Sequence, residues 1–354
     1  MTNTTKYNKH HNAQSLSLSI MACQQWCIFK FHMLITIIFL VIIIPSGAIT
    51  TTNNYFGTAN FAYGQTNQTN PNNANPLNVQ NIPVKKVHVG DIDIAYKTFG
   101  KGDPILLISG SGFAMDTWQP SLLRDLSRNH TVIIFDNRGV GNTTIGIKSF
   151  SIQQFANDTI GLLDALKIQK VDVLGFSMGS FIAQEVTLFH PEKVNRLILY
   201  GASCGGRENV PQATQVVKIL SDLVNNRTQD PEKILSVTFP LEWVKSHSNV
   251  TLPKSREIVT SNILRQQFNL NEGWLALNWN GVCDQLTKIS QPTLIITGTK
   301  DVAVPAPNSL VLAQKIPGAW LVQIKGGGHG LMYQYPFVFS KVLLTFLSTT
   351  TNPN

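Results

Sequence analysis

The chain has 354 residues, of which 43% are hydrophobic, and carries 28 basic against 20 acidic side chains. This length and apolar content suit one large folded domain or two small ones, and they exclude a chain too polar to build a core. The positive balance does not indicate nucleic-acid binding, because five lysines and no acidic residue fall in residues 1–90, while residues 91–354 are nearly balanced.

Residues 1–48 are predicted to be an export signal. Lys30 precedes an apolar run over residues 33–44, and the small residues Ser46 and Ala48 follow it. Those 12 residues span roughly 18 Å as a helix, short of a bilayer core of roughly 30 Å. The pattern is typical of a secretory signal cleaved after Ala48. The alternative is an uncleaved membrane anchor over residues 26–49, and in both cases the remaining chain lies outside the cytoplasm.

Residues 49–83 are predicted to be a flexible linker. They are rich in Asn, Thr, Gln and Pro, and they hold too few bulky apolar groups to offset the entropy of ordering. The folded domain is expected over residues 84–354. It contains Cys204 and Cys283, for which the sequence allows either a disulfide or two buried thiols. The four cysteines of the chain form no metal-binding pattern, so no metal is expected.

From residue 87 onward the apolar pattern alternates between strand and helix. The predicted elements are a hairpin at residues 87–98, strands at 104–109, 131–135, 171–175, 196–201, 293–297 and 319–324, and helices at 117–127, 151–166, 180–189 and 336–348. A capping box formed by Ser151 and Gln154 is expected to start the second helix. Strands alternating with helices predict an eight-stranded, mostly parallel sheet that is covered by helices on both faces.

Residues 207–289 interrupt this alternation. They are predicted to form several helices, including residues 214–224 and 255–270, and no strand. The natural interpretation is a helical cap inserted after the sixth strand, over the carboxyl edge of the sheet. Six apolar side chains of the cap are candidates to line a pocket, although each is equally consistent with packing the cap onto the body: Trp243, Phe268, Trp274, Leu275, Leu277 and Trp279.

The segment Gly175-Phe176-Ser177-Met178-Gly179 joins an apolar strand to a helix. This junction is the setting of a G-x-S-x-G nucleophile elbow, in which a strained turn presents the serine hydroxyl. A second match, Gly201-Ala202-Ser203-Cys204-Gly205, also follows a strand. Polar residues and a proline follow it instead of a helix, so Ser203 is assigned to an ordinary loop.

A serine nucleophile requires a base and an orienting acid. His329, in a glycine-rich loop after the last strand, is the one histidine far downstream of Ser177. Asp301 follows a strand and a glycine turn, and it completes the order Ser, Asp, His. Three other aspartates follow Ser177 without a preceding strand-like run: Asp222, Asp230 and Asp284.

Residues 84–348 resemble the α/β-hydrolase superfamily, in its branch of capped serine esterases and cofactor-free haloperoxidases. The likeness is carried by the elbow, by the strand and loop at residues 104–112, by the D-x-R-G-x-G turn at residues 136–141, and by residues 190–194. The resemblance implies an oxyanion hole made by the backbone N–H groups of Met178 and Ser111, with Gly112 as the alternative to Ser111. Ser109 stands where the family usually has a histidine, which puts the shape of that loop in question.

The sequence therefore predicts an exported serine hydrolase that cleaves carboxylic esters or lactones of small apolar molecules, with no metal or organic cofactor. The expected partner is a small-molecule substrate, with no nucleic acid and with membrane contact only through an uncleaved leader. Ser177 argues against dehalogenases and most epoxide hydrolases of this superfamily, which use aspartate at the elbow. A C–C bond hydrolase, a peptidase and a weakly catalytic or non-catalytic small-molecule receptor remain the alternatives.

Overall fold

The computed structural model describes residues 79–228, 230–247 and 259–349. Its centre is one eight-stranded sheet with strand order β1-β2-β4-β3-β5-β6-β7-β8. Strand β2 pairs antiparallel with β1 and β4, and every other pairing is parallel, so the predicted sheet is confirmed. The strands are β1 (Lys85–Val89), β2 (Ile92–Gly100), β3 (Asp103–Ile108), β4 (His130–Phe135), β5 (Val171–Phe176), β6 (Val194–Tyr200), β7 (Thr293–Gly298) and β8 (Trp320–Ile324).

Helices cover both faces of this sheet, as predicted. They are α1 (Pro120–Ser127), α2 (Ile152–Ala165), α3 (Met178–Phe189), α4 (Thr214–Val224), α5 (Pro231–Thr238), α6 (Leu241–Ser246), α7 (Ser261–Leu275), α8 (Pro307–Lys315), α9 (Leu331–Gln334) and α10 (Pro336–Ser348). Alternate side chains of β3 divide between two cores. Leu106 and Ile108 pack with α2, α3 and α8, whereas Ile105 and Leu107 pack with α1 and α10.

One predicted helix start and one predicted capping box need correction. Helix α1 begins at Pro120 rather than residue 117, because a proline disfavours helical backbone in the residue before it, and Gln119 accepts the N–H of Ser121 as the N-cap. Helix α2 begins as predicted, with Ser151 accepting the N–H of Gln154 at 2.9 Å. The side-chain amide of Gln154, however, donates to Asp158 and so turns away from the predicted capping box.

The cap is helical, as expected. It consists of α4, α5, α6 and α7, and the described residues between 207 and 289 contain no strand. Helix α4 has the predicted bounds, but the helix predicted at residues 255–270 runs from Ser261 to Leu275. Its start is fixed by Thr260, whose hydroxyl accepts the N–H of Ile263, and residues 255–258 lie outside the described part of the chain.

The base of the cap is closed by a disulfide between Cys204 and Cys283. Both residues are buried, Cys204 just after β6 and Cys283 in a short 3-10 helix before β7. The sequence allowed either a disulfide or two buried thiols, and the structure has the disulfide. It joins residues that are 79 positions apart in the sequence.

Removing this disulfide is expected to lower the stability of the protein. A crosslink over a long loop typically stabilises a fold by about 2–4 kcal/mol, so Cys204→Ala with Cys283→Ala should lower Tm by roughly 5–15 °C. The measurement is thermal unfolding with and without dithiothreitol, the double variant serving as the control that the reductant leaves unchanged. An unaltered Tm in the double variant would show that the bridge contributes nothing.

The buried Arg138 of the D-x-R-G-x-G turn ties the hairpin to the body. Its guanidinium binds Asp158 of α2 at 2.7 Å and Asp91 of the β1–β2 turn at 2.8 Å. The hydrogen bonds from Arg138 hold the pKa of Asp91 well below its usual range. This family motif is therefore a structural brace for the loop that follows β4.

The predicted leader, residues 1–48, lies outside the described residues, as do residues 49–78 of the predicted linker. Residues 79–83 are described, and Val79 packs into the core while its carbonyl accepts a hydrogen bond from Lys97 at 3.1 Å. None of the helices in the described ranges is long and apolar enough to cross a membrane.

Candidate active site

Ser177 occupies a strained turn between β5 and α3. Its backbone has φ 54° and ψ −121°, a conformation that a side chain disfavours and that is typically held only by surrounding structure. The surroundings supply this restraint, because the N–H of Ser177 donates to the carbonyl of Tyr200 at 2.9 Å and its carbonyl accepts the N–H of Ser180 at 2.7 Å. The hydroxyl is thus presented at the carboxyl edge of the sheet.

The glycines on either side of this turn are required by close backbone packing. A Cβ on Gly175 would lie 2.3 Å from the carbonyl oxygen of Gly179, and a Cβ on Gly179 would lie 2.0 Å from that of Ile108. Both separations are shorter than any real contact of a side-chain carbon. Helix α3 can therefore begin this close to the ends of β5 and β3 only if both positions lack a side chain.

Asp301 and His329 meet at the ends of β7 and β8. Asp301 Oδ2 lies 2.8 Å from His329 Nδ1, and its other oxygen accepts the N–H groups of Ala303 at 3.0 Å and Val304 at 2.9 Å. The carboxylate is fully buried, whereas the imidazole keeps 11% of its side-chain surface exposed. Donation from Nδ1–H to this carboxylate leaves Nε2 of the imidazole free to accept a proton.

The loop that carries His329 is fixed by Tyr200 and Gly201. Burial raises the pKa of Tyr200 well above its ordinary value, so the phenol keeps the proton that it donates to the carbonyl of His329. The same phenol oxygen accepts the N–H of Met332 at 3.3 Å. A Cβ on Gly201 would lie 2.9 Å from His329 Cε1, so only glycine leaves room for the imidazole.

Ser177 and His329 line the same cavity under the cap, together with Ser111. The cavity has a volume of about 180 Å³ and is walled mainly by apolar side chains of α3, α4, α5 and α7. Glu272 is the one carboxylate among the described lining residues, and burial raises its pKa. No lysine or arginine of the described residues contributes to the wall.

Only two of the six predicted cap residues, Phe268 and Leu275, line this cavity. The tryptophans are engaged elsewhere: Trp274 stacks on Phe181 with ring centroids 5.2 Å apart, and Trp279 packs edge-on against Trp274. Trp243 stacks on His247, and Leu277 is exposed. Lining of the pocket is therefore not observed for these four side chains. The three tryptophans take the packing role that the sequence left equally open, and Leu277 does neither.

The loop predicted to form the oxyanion hole faces the start of α3. Met178 is the first residue of that helix, so its N–H has no acceptor within the helix. Ser111 donates its hydroxyl to Met178 Sδ at 3.3 Å, which holds the two residues side by side. The N–H of Gly112 is taken by Gln267 Oε1 at 2.8 Å, which favours Ser111 over Gly112 as the second donor.

Ser109 stands where the family usually has a histidine, and its hydroxyl does not take over the task of holding the loop. Ser109 Oγ is buried and has no hydrogen-bond partner among the described residues, although the Ser109 carbonyl accepts a hydrogen bond from Asn137. The loop is held instead by two residues of α7 that sequence reasoning missed, Gln267 and Asn271. Asn271 donates to Ser111 Oγ at 2.7 Å. Their spacing of four residues, which puts both on one helix face, was the only available signal.

The rival residues lie outside this arrangement. Ser203 is buried, and its hydroxyl bonds to Asn209 and Asn308. Asp222 pairs with Lys218 on α4, Asp230 caps α5, and Asp284 is exposed beside Lys315. Within the described ranges, no cluster of His, Cys, Asp or Glu is arranged to hold a metal ion.

Comparison with known proteins agrees with this architecture. Residues 103–336 match the family described as the α/β hydrolase fold. A putative carbamate hydrolase, RutD, of Azorhizobium caulinodans is 28% identical over 263 residues, which cover 73% of this chain and 96% of that protein. A putative non-heme bromoperoxidase, BpoC, of Mycobacterium tuberculosis is 28% identical over 272 residues, or 73% of this chain and 98% of that one.

Solved structures of similar proteins share this fold. An α/β hydrolase fold protein from Chitinophaga pinensis matches with a TM-score of 0.64 and 24% identity, over 76% of this chain and 98% of that chain. The bromoperoxidase relative fits the haloperoxidase-like branch that the sequence motifs resemble. The family match spans more than half of the chain. This protein therefore belongs to the α/β-hydrolase fold family.

Proposed function

We propose that this protein is an exported serine hydrolase that cleaves carboxylic esters or lactones of small apolar molecules. The observation that carries the proposal is that Ser177 and His329 line one cavity while His329 is bound to the buried carboxylate of Asp301 at 2.8 Å. A serine hydroxyl is a weak nucleophile by itself, and this arrangement supplies the base and the orienting acid that it requires.

In the first half of the reaction, Ser177 Oγ bonds to the carbonyl carbon of the substrate as His329 Nε2 takes the hydroxyl proton. Asp301 keeps Nδ1 protonated and stabilises the imidazolium that forms. The carbonyl oxygen becomes negatively charged and is stabilised by the N–H groups of Met178 and Ser111, each worth about 3–4 kcal/mol in comparable sites. The C–O bond to the alcohol then breaks, and His329 returns the proton to the leaving oxygen.

In the second half, water hydrolyses the acyl group on Ser177. His329 takes a proton from the water as its oxygen attacks the acyl carbon, and the same two N–H groups stabilise the second oxyanion. When the bond to Ser177 breaks, His329 gives the proton back to Oγ. The products are a carboxylic acid and an alcohol, or a hydroxy acid if the substrate is a lactone.

The cavity supports a small and largely apolar substrate. Its volume of about 180 Å³ suits a short acyl or alcohol group, and its wall includes Phe181, Leu223 and Phe268. The chemistry of the named relative points the same way, because RutD is described as a putative carbamate hydrolase and a carbamate is also cleaved at a carbonyl carbon.

Export is supported by two independent features. The Cys204–Cys283 disulfide is typical of proteins that fold in an oxidising compartment. The apolar run at residues 33–44, between Lys30 and the small residues Ser46 and Ala48, has the pattern of a secretory signal. The proposal leaves the protein either secreted or tethered to the membrane through that segment.

The experiment that tests this function is a substrate panel on the purified protein. We expect turnover of p-nitrophenyl butyrate and of small lactones, with the rate falling for long acyl chains that exceed the cavity. Turnover of a vinylogous diketone or of a peptide in preference to esters would favour the C–C hydrolase or peptidase alternative. A folded protein that binds these compounds without turnover, and that a fluorophosphonate does not label, would indicate a receptor.

Glu272 is expected to discriminate against anionic substrates, because it places a carboxylate in a wall with no basic side chain among the described residues. The measurement compares a neutral substrate, p-nitrophenyl butyrate, with an anionic one, the p-nitrophenyl ester of hemiglutarate. Glu272→Gln should raise the ratio of kcat/KM for the anionic ester to kcat/KM for the neutral ester about five- to tenfold. The matched control is Glu232→Gln, an exposed cap residue outside the cavity wall. An unchanged ratio in Glu272→Gln would rule out this selectivity.

A further inference from the structure

Helix α7 of the cap is joined to the oxyanion loop by two hydrogen bonds. Gln267 Oε1 accepts the N–H of Gly112 at 2.8 Å, and Asn271 Nδ2 donates to Ser111 Oγ at 2.7 Å. We call Gln267 and Asn271 the cap clamp. A separation of four residues puts both on the same face of the helix, so one docked helix makes both contacts at once.

The contact to Gly112 is fixed in direction and partly buried. A backbone N–H only donates, so the atom of Gln267 that faces it is the carbonyl oxygen of the side-chain amide. Gln267 has no exposed surface. Leu264, also on α7, packs against Gly112 so closely that a Cβ on Gly112 would lie 2.8 Å from Leu264 Cδ1. Gly112 has φ +73°, a backbone conformation that glycine adopts without strain.

Stability alone does not account for this glutamine. Gln267 Nε2 is buried and has no hydrogen-bond partner among the described residues, and such an unpaired group typically costs about 1–3 kcal/mol. An apolar side chain of similar size would avoid that cost but would leave the N–H of Gly112 without this acceptor. At the position of the missing histidine the side chain of Ser109 adds no brace, because its Oγ is unpartnered within the described residues and only its carbonyl is held, by Asn137.

We propose that the cap clamp positions the oxyanion hole, with Gln267 as the principal positioning residue. By holding the peptide of Gly112, Gln267 fixes the preceding residue, Ser111, so that its N–H is directed at the carbonyl oxygen of the substrate. Asn271 fixes the side chain of Ser111 against Met178, which provides the other donor. The hole is therefore complete only when the cap helix is docked. This inference rests on the proposed hydrolase function and deepens it.

The test is Gln267→Met, which keeps the length of the side chain and removes its acceptor. A displaced oxyanion donor weakens transition-state binding more than substrate binding, so we expect kcat for p-nitrophenyl butyrate to fall about 10- to 100-fold, with KM changed less than about threefold. A trifluoromethyl ketone, which forms a tetrahedral adduct with a charged oxygen on the nucleophilic serine, should bind weaker by a similar factor. A merely structural role would lower Tm and leave both quantities unchanged.

Gln266→Met is the matched control, because Gln266 is the adjacent residue of α7 and lines no part of the cavity. If Gln267→Met does not fold, Asn271→Leu carries the test, since Asn271 is only partly buried. It should lower kcat and inhibitor affinity together by about tenfold. Variants that match the Gln266→Met control in both measurements would overturn the inference. Absence of turnover and of fluorophosphonate labelling in the unaltered protein would instead refute the proposed function.

Discussion

Ser177→Ala is expected to lower kcat for p-nitrophenyl butyrate by about 10⁵- to 10⁶-fold. Without Oγ no acyl-enzyme forms, and only binding and oxyanion stabilisation remain to assist direct attack by water. The fold should survive, because the restraints on this turn come from backbone hydrogen bonds to Tyr200 and Ser180 that alanine retains. The measurement is steady-state kinetics, with Tm recorded for each variant.

Ser203→Ala is the control for this experiment, since Ser203 belongs to the second G-x-S-x-G match of the chain. Its hydroxyl is buried against Asn209 and Asn308, so its loss should lower Tm and leave kcat of the folded protein unchanged. The opposite pattern, with activity lost in Ser203→Ala and kept in Ser177→Ala, would show that the wrong elbow has been assigned.

Asp301→Asn is expected to lower kcat about 10⁴-fold with little change in KM. An amide donates its N–H to Nδ1 and so forces the imidazole proton onto Nε2, the nitrogen that must accept the proton of Ser177. The change should be well tolerated by the fold. In the unaltered protein the N–H groups of Ala303 and Val304 donate to Asp301 Oδ1, and the amide oxygen of asparagine can accept both of them.

The matched control for the acid is Asp284→Asn, because Asp284 also follows Ser177 but has 80% of its side chain exposed. Its kinetics should equal those of the unaltered protein. A near-normal kcat in Asp301→Asn would mean that another group orients His329, and a raised KM with normal kcat would place Asp301 in substrate binding instead.

The sequence predicted the sheet well because the local signals and the packing agree. Strands β3, β5 and β7 are short, mainly apolar runs that are buried on both faces. A serine directly follows β3 and β5, and β7 ends in glycine, where the chain turns. The elbow was predictable for the same reason, since Gly175 and Gly179 are demanded by backbone separations that only glycine permits. The order of Ser177, Asp301 and His329 along the chain then followed from which strands end at that edge.

The cap was predicted only as helical, and its contacts were not. Helical periodicity identifies a buried face but not its partner, so the sequence left open whether Trp274 lines the pocket or packs the cap, and it lies against Phe181. The bond from Gly112 to Gln267 involves a backbone N–H, which leaves no trace in the sequence. The pairing of Cys204 with Cys283 depends on how the two ends of the insertion come together, which local patterns do not determine.

Mapping of a covalent adduct tests the central claim most directly, namely that Ser177 is the nucleophile and that His329 and Asp301 activate it. The protein would be incubated with a fluorophosphonate, digested and analysed by mass spectrometry. We predict one modified peptide, carrying the phosphonyl group on Ser177, with labelling slowed by the same large factor as kcat in Asp301→Asn. An adduct on Ser203 or Ser111, or rapid labelling of Ser177→Ala, would contradict the account.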